Sequence, residues 1–132
     1  TNAFGYPIPG PEYWYGLGQF VRRVIEGWPA DQRVAVIGSF NLTVEVGGPK
    51  MGNYNQDFNR RVLAQIREGR RDELLALTVR ELIAEGNSTA EFLNYIAILG
   101  LVEDRKPDFI KHKPVKGVGM CPVVMWESHS LT

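Results

Sequence analysis

The chain has 132 residues, of which 44% are hydrophobic and 23% charged, a balance that excludes wholesale disorder, collagen-like repetition and a coiled-coil rod. Fifteen basic and fifteen acidic side chains leave no formal net charge, so the basic excess of a nucleic-acid-binding surface is missing. A single cysteine, Cys121, cannot close an internal disulfide, and no apolar run approaches ~18 residues, so the expected setting is the cytoplasm, away from membranes.

The N-terminal residues 1–6 run into Pro7-Ile8-Pro9-Gly10-Pro11, an extended entry closed by a Pro/Gly loop. Residues 13–27 predict an amphipathic helix, with Leu17, Phe20, Val21, Val24 and Ile25 inward at three- and four-residue spacing, stopped by Gly27 and Pro29. Residues 33–38, Arg-Val-Ala-Val-Ile-Gly, predict a short strand buried on both faces. From 39 to 53 the pattern dissolves into a glycine-containing loop long enough to carry function.

Helical spacing returns at 55–68 and at 72–85, the second broken near Thr78. Ser88-Thr89-Ala90-Glu91 fits a capping box, with Ser88 as N-cap and Glu91 at N3, opening a helix that continues to Gly100. Residues 115–126 predict a final strand. The arginines at 60, 61, 67, 70 and 71 read as a solvated helix face, and Tyr13, Trp14 and Tyr15 as core and interface. Cys121, in an apolar run, reads as a buried structural thiol. His112 reads as structural, and with His129 it is too sparse for a metal site within this chain. The order of elements is that of an α/β fold, a mixed sheet flanked by helices, over 1–132 as one domain or half-domain. Two or three apolar strands make a thin sheet, which calls for a second chain to complete it.

Several short pieces in order carry a resemblance. They are Tyr6-Pro7-x-Pro9, Gly16-Leu17-Gly18, Trp28-Pro29, Val36-Ile37-Gly38-Ser39, Gly48-Pro49-x-x-Gly52, Asp57-Phe58, Gly86 with Glu91, and His112-x-Pro114. Together they resemble the C-terminal half of the class III extradiol ring-cleavage dioxygenases of the protocatechuate 4,5-dioxygenase type. The resemblance implies an Fe(II) centre of two histidines and one glutamate, with a separate histidine as acid/base. The glutamate falls on Glu91, and the two histidine ligands belong to the N-terminal half, outside the stretch this chain resembles. The acid/base histidine closes a Gly-Gly-x-Ser-His motif, which here reads Phe40-Asn41-Leu42-Thr43-Val44, so Val44 stands where the histidine is expected. Valine cannot move a proton.

The start at Thr1 suggests a second chemistry. A freed N-terminal threonine combines a hydroxyl nucleophile with an α-amine of pKa about 8 as its base. The leading expectation is therefore a self-processed, cofactor-free amidohydrolase on the dioxygenase scaffold, with Thr1 as nucleophile and Asn41 as oxyanion donor. Asn2, Phe40 and Tyr6 would bind a small aromatic-derived acid. Two alternatives stand beside it. One is an Fe(II)-dependent ring-cleavage chain with Glu91 as metal ligand, and the other is a non-catalytic structural subunit. All three imply a partner chain carrying the N-terminal half, within a higher oligomer that acts in aromatic catabolism.

Overall fold

The computed structural model describes residues 5–52 and 54–127. Helix α1, Pro11–Glu26, begins where Pro11 supplies a preset φ at the first turn and ends at Gly27. Helix α2, Gln56–Glu68, is capped by Asn55, whose side-chain oxygen accepts from the N–H groups of Asp57 (3.1 Å) and Phe58 (3.0 Å). Gly69 closes α2 at φ 69°, a left-handed conformation that favours glycine. The predicted helix over 72–85 is two helices, α3 (Arg71–Leu75) and α4 (Val79–Glu85), broken at Thr78 as its pattern suggests. A 3-10 turn, Thr89–Glu91, leads into α5, Phe92–Leu101.

Four short strands follow: β1 (Phe109–Lys111), β2 (Pro114–Val115), β3 (Gly119–Met120) and β4 (Val123–Met125). They form two antiparallel pairs, β1 with β4 (Ile110 opposite Val124) and β2 with β3. The single strand expected over 115–126 is thus divided. Gly117, at φ 80°, turns the chain so that the Val118 N–H donates to the Val115 carbonyl (3.0 Å), and Pro122 has no N–H for a ladder. Helices and strands mix as expected, but the sheet is two small ladders instead of one mixed sheet.

The largest departure is at 33–38, where a buried strand was expected. The segment is irregular and exposed, with Ile37 at 93%. A strand needs a neighbour for its backbone groups, and among the described residues neither ladder reaches this segment. On α1, Leu17, Phe20 and Val24 are likewise exposed, while Val21 and Ile25 are partly buried. The reason lies in how α1 meets α5. A Cβ at Gly18 would collide with the Ala97 carbonyl oxygen, and one at Gly100 with that of Tyr15. The two backbones therefore touch through glycines, and this contact is narrower than the apolar stripe.

The core gathers Leu42, Val62, Ile66, Leu74, Leu82, Phe92, Leu93, Ile96 and Leu99. Phe40, Phe92, Tyr95 and Trp126 form a chain of ring contacts from 5.2 to 6.1 Å across it. Trp14 and Tyr15 pack on this core, whereas Tyr13 is exposed. Tyr15 donates to Asp104 (2.9 Å), which also pairs with Arg71 at 3.0 Å, joining α1, α3 and the end of α5. All five helix-face arginines are exposed. Among the described residues no helix is long and apolar enough to cross a membrane.

Candidate functional site

The segment 42–44 is stitched into the fold from both sides. The Leu42 N–H donates to the Met120 carbonyl (2.9 Å) and the Met120 N–H returns to the Thr43 carbonyl (3.2 Å). Thr43 donates through its N–H (3.1 Å) and its hydroxyl (2.6 Å) to Oδ1 of buried Asn59. The Val44 N–H donates to the Thr89 hydroxyl (3.3 Å), and the Ser88 N–H to the Val44 carbonyl (3.1 Å). These bonds bring three distant stretches together: residue 41, the turn at 88–91, and residue 121 beyond β3.

Asn41 lies at the centre of the cluster. Its Nδ2 donates to Glu91 Oε2 at 2.9 Å and to Ser88 Oγ at 3.2 Å, while Oδ1 accepts from the Cys121 thiol at 3.1 Å. Ser88 Oγ donates to Glu91 Oε1 at 3.3 Å. Both carboxylate oxygens of part-buried Glu91 therefore accept from neutral donors. None of the ion pairs formed by the described residues includes Glu91.

Two expectations are corrected here. Ser88 and Glu91 make no capping box: the Ser88 side chain bonds to no backbone N–H of the turn, and its own N–H is taken by Val44. The box lies instead at Thr78, whose hydroxyl accepts from the Glu81 N–H (3.1 Å) while Glu81 accepts from the Thr78 N–H (2.8 Å). Cys121 is exposed, not buried, because its neighbour Met120 takes the inward position at the end of β3. Partial desolvation and, to a lesser degree, the Glu91 charge push its thiol above the usual range.

Among the other residues singled out by sequence, Phe40 packs against Phe92 and Tyr95. Tyr6 is 77% exposed. Val44 is buried and bridges to Gly119, so the position expected to hold a proton-transferring side chain belongs to the core. His112 is exposed in the connection between β1 and β2. Thr1, Asn2 and His129 lie outside the described residues. Sequence reasoning paired Ser88 with Glu91 but in the wrong bond, and missed Cys121 as the partner of Asn41. The Ser88 signal was present but ambiguous, since Ser-x-x-Glu and Thr-x-x-Glu share a spacing and only one of them caps.

A carboxylate offers about four lone-pair sites, of which the two hydrogen bonds use two, and no ion pair of the described residues includes Glu91. That arrangement fits one anionic donor to a divalent metal. Among the described residues no group of three or more His, Cys, Asp or Glu side chains could hold a metal ion, so these residues do not make a complete metal site.

Helices flanking small antiparallel ladders agree with the comparisons. The family described as the catalytic LigB subunit of aromatic ring-opening dioxygenase matches residues 1–120, and the chain belongs to that family. A gallate dioxygenase from Pseudomonas putida is 35% identical over 57 residues, a stretch that makes up 43% of this chain and 17% of that protein.

Proposed function

We propose that this chain donates the carboxylate ligand of an Fe(II) ring-opening dioxygenase centre, with Glu91 as that ligand. The observation that carries the reading is the state of Glu91. It caps no helix and pairs with no cation of the described chain, yet it is held on both oxygens by Asn41 and Ser88. A carboxylate held on both oxygens by neutral donors, without a counter-charge among the described residues, is arranged to receive a cation.

Each residue of the cluster then has a task. Glu91 binds, Asn41 and Ser88 fix its rotation, and the protonated Cys121 thiol holds the far end of the Asn41 amide. Bound Fe(II) would order a catechol-type substrate and dioxygen next to one another. Val44 is sealed in the core, so the proton-transferring group comes from another position. The two histidine ligands come from a partner chain or segment carrying the N-terminal half of the fold. The exposed apolar segment 33–38 and the open stripe of α1 are where that half docks, leaving this chain a half-domain within a cytoplasmic heteromer. The gallate dioxygenase relative points to a dihydroxylated or trihydroxylated aromatic acid as substrate.

The amidohydrolase reading draws on Thr1 and Asn2, outside the described residues, and on Asn41 as an oxyanion donor. Both N–H bonds of that amide are already committed, to Glu91 and Ser88, which favours an orienting role.

The test is oxygen uptake with gallate and with protocatechuate, using protein expressed from its complete gene with any co-purifying chain and Fe(II). Uptake coupled to a ring-opened product, lost in Glu91→Ala and kept in Thr1→Ala, is the expected result. Amide cleavage abolished by Thr1→Ala, without oxygen uptake, would replace this reading with the hydrolase.

A further inference from the structure

The geometry points to Asn41 as a positioning residue that sets the orientation of the Glu91 carboxylate for metal binding; the inference rests on the reading of Glu91 as the metal's carboxylate. The amide turns its NH₂ toward Glu91, whose oxygen accepts at 2.9 Å, and its oxygen toward the Cys121 thiol, which donates at 3.1 Å. Asn41 is itself anchored on both sides. Phe40 is held in the aromatic chain by Phe92 and Tyr95, and the Leu42 N–H is bonded to Met120. The amide is therefore presented by a backbone that cannot easily swing, and its 2.9 Å bond is the shorter of the two on Glu91.

The residue type is informative as well. Asn41 stands where the motif described above calls for glycine, and its φ is not in the left-handed region, so backbone conformation does not demand glycine here. The Asn41 side chain has two donors, and they reach the carboxylate and the hydroxyl that also holds it. Removing Asn41 leaves Glu91 with Ser88 alone at 3.3 Å, free to rotate about its terminal bond. A metal would then have to order the carboxylate as well as bind it.

The experiment is an anaerobic competition titration of Fe(II) against a chromophoric chelator, on protein from the complete gene with any co-purifying chain. Wild type is compared with Asn41→Leu, Asn41→Ala and Glu91→Ala, and a thermal melt is recorded for each. Asn41→Leu keeps the branched shape and removes the hydrogen bonds; Asn41→Ala serves if the bulkier leucine variant does not fold. The expected result is Fe(II) affinity weakened roughly 10- to 100-fold in the Asn41 variants, as for other residues that orient a metal ligand. Folding should be retained, and the nitric oxide adduct should give a broadened paramagnetic resonance spectrum. Unchanged affinity in folded Asn41 variants, with iron lost in Glu91→Ala, would overturn the positioning role and leave Glu91 as ligand. Unchanged affinity in Glu91→Ala would overturn both.

Discussion

The backbone N–H of Ser88 donates to the carbonyl oxygen of Val44 at 3.1 Å. A capping box needs that N–H for the glutamate three residues on, so Glu91 turns to side-chain donors instead. Thr78 and Glu81 have no such competitor and complete the box. Thr78→Ala should therefore lower stability by ~1 kcal/mol in urea unfolding. The Thr78 N–H and hydroxyl hold the Glu81 carboxyl below its usual range. Its contribution is thus present above the ordinary glutamate pKa and lost as pH falls through the lowered folded value. Wild type and Glu81→Gln should differ at neutral pH and converge in acid.

Helices α1 and α5 touch through Gly18 and Gly100, where a Cβ would meet backbone oxygen. Gly18→Ala must push the helices apart and should cost about 1–3 kcal/mol or more. Gly16, on the same helix, has nothing within 4 Å of its Cβ position. Gly16→Ala should instead be neutral or stabilising by about 0.5–1 kcal/mol. Thermal melts of the two variants, moving in opposite directions, check the packing.

Restoring a histidine at residue 44 should not create an acid/base. Val44 is 4% exposed, with Gly86 and Gly119 closely packed around it. Val44→His should destabilise by roughly 1–3 kcal/mol through overpacking and imidazole burial, with no gain in ring opening. Unfolding and oxygen uptake on the same preparation read both effects.

The Cys121 thiol should react slowly despite its exposure, because desolvation and the Glu91 charge disfavour the thiolate. Glu91→Gln removes that charge, so the thiol pKa should fall and alkylation by iodoacetamide at pH 8 should quicken. Mass spectrometry of the time course measures the rates.

Sequence legibility followed how locally each feature is determined. The helix start near Asn55, the break at Thr78 and the burial of Val62, Ile66 and Leu93 follow from periodicity and capping chemistry within a few residues. Helix α1, in contrast, starts at Pro11, two residues before the expected 13, because the proline that presets its first turn also reads as part of the preceding loop. The apolar run at 33–38 was misleading because burial depends on what flanks a strand, and no described strand does so. At the site, Glu91 was identified through resemblance and Ser88 was paired with it as a cap, while the contacts of Asn41 with Glu91 and Cys121 were hidden. Asn41 and Cys121 are 80 positions apart and meet only because Leu42 and Met120 hydrogen-bond. The two Ser/Thr-x-x-Glu spacings are alike in sequence, and a bond from Val44, over forty residues away, decides which one caps.

The most direct test of Glu91 as the iron ligand is iron content per chain, measured by plasma mass spectrometry. Protein from the complete gene, purified anaerobically with its co-purifying chain, is compared with Glu91→Gln, which changes the charge and little else. One iron per chain in the wild type and a loss of most of it in Glu91→Gln is the predicted result. Equal iron in both, or none in a wild type that nonetheless opens aromatic rings, would contradict the assignment.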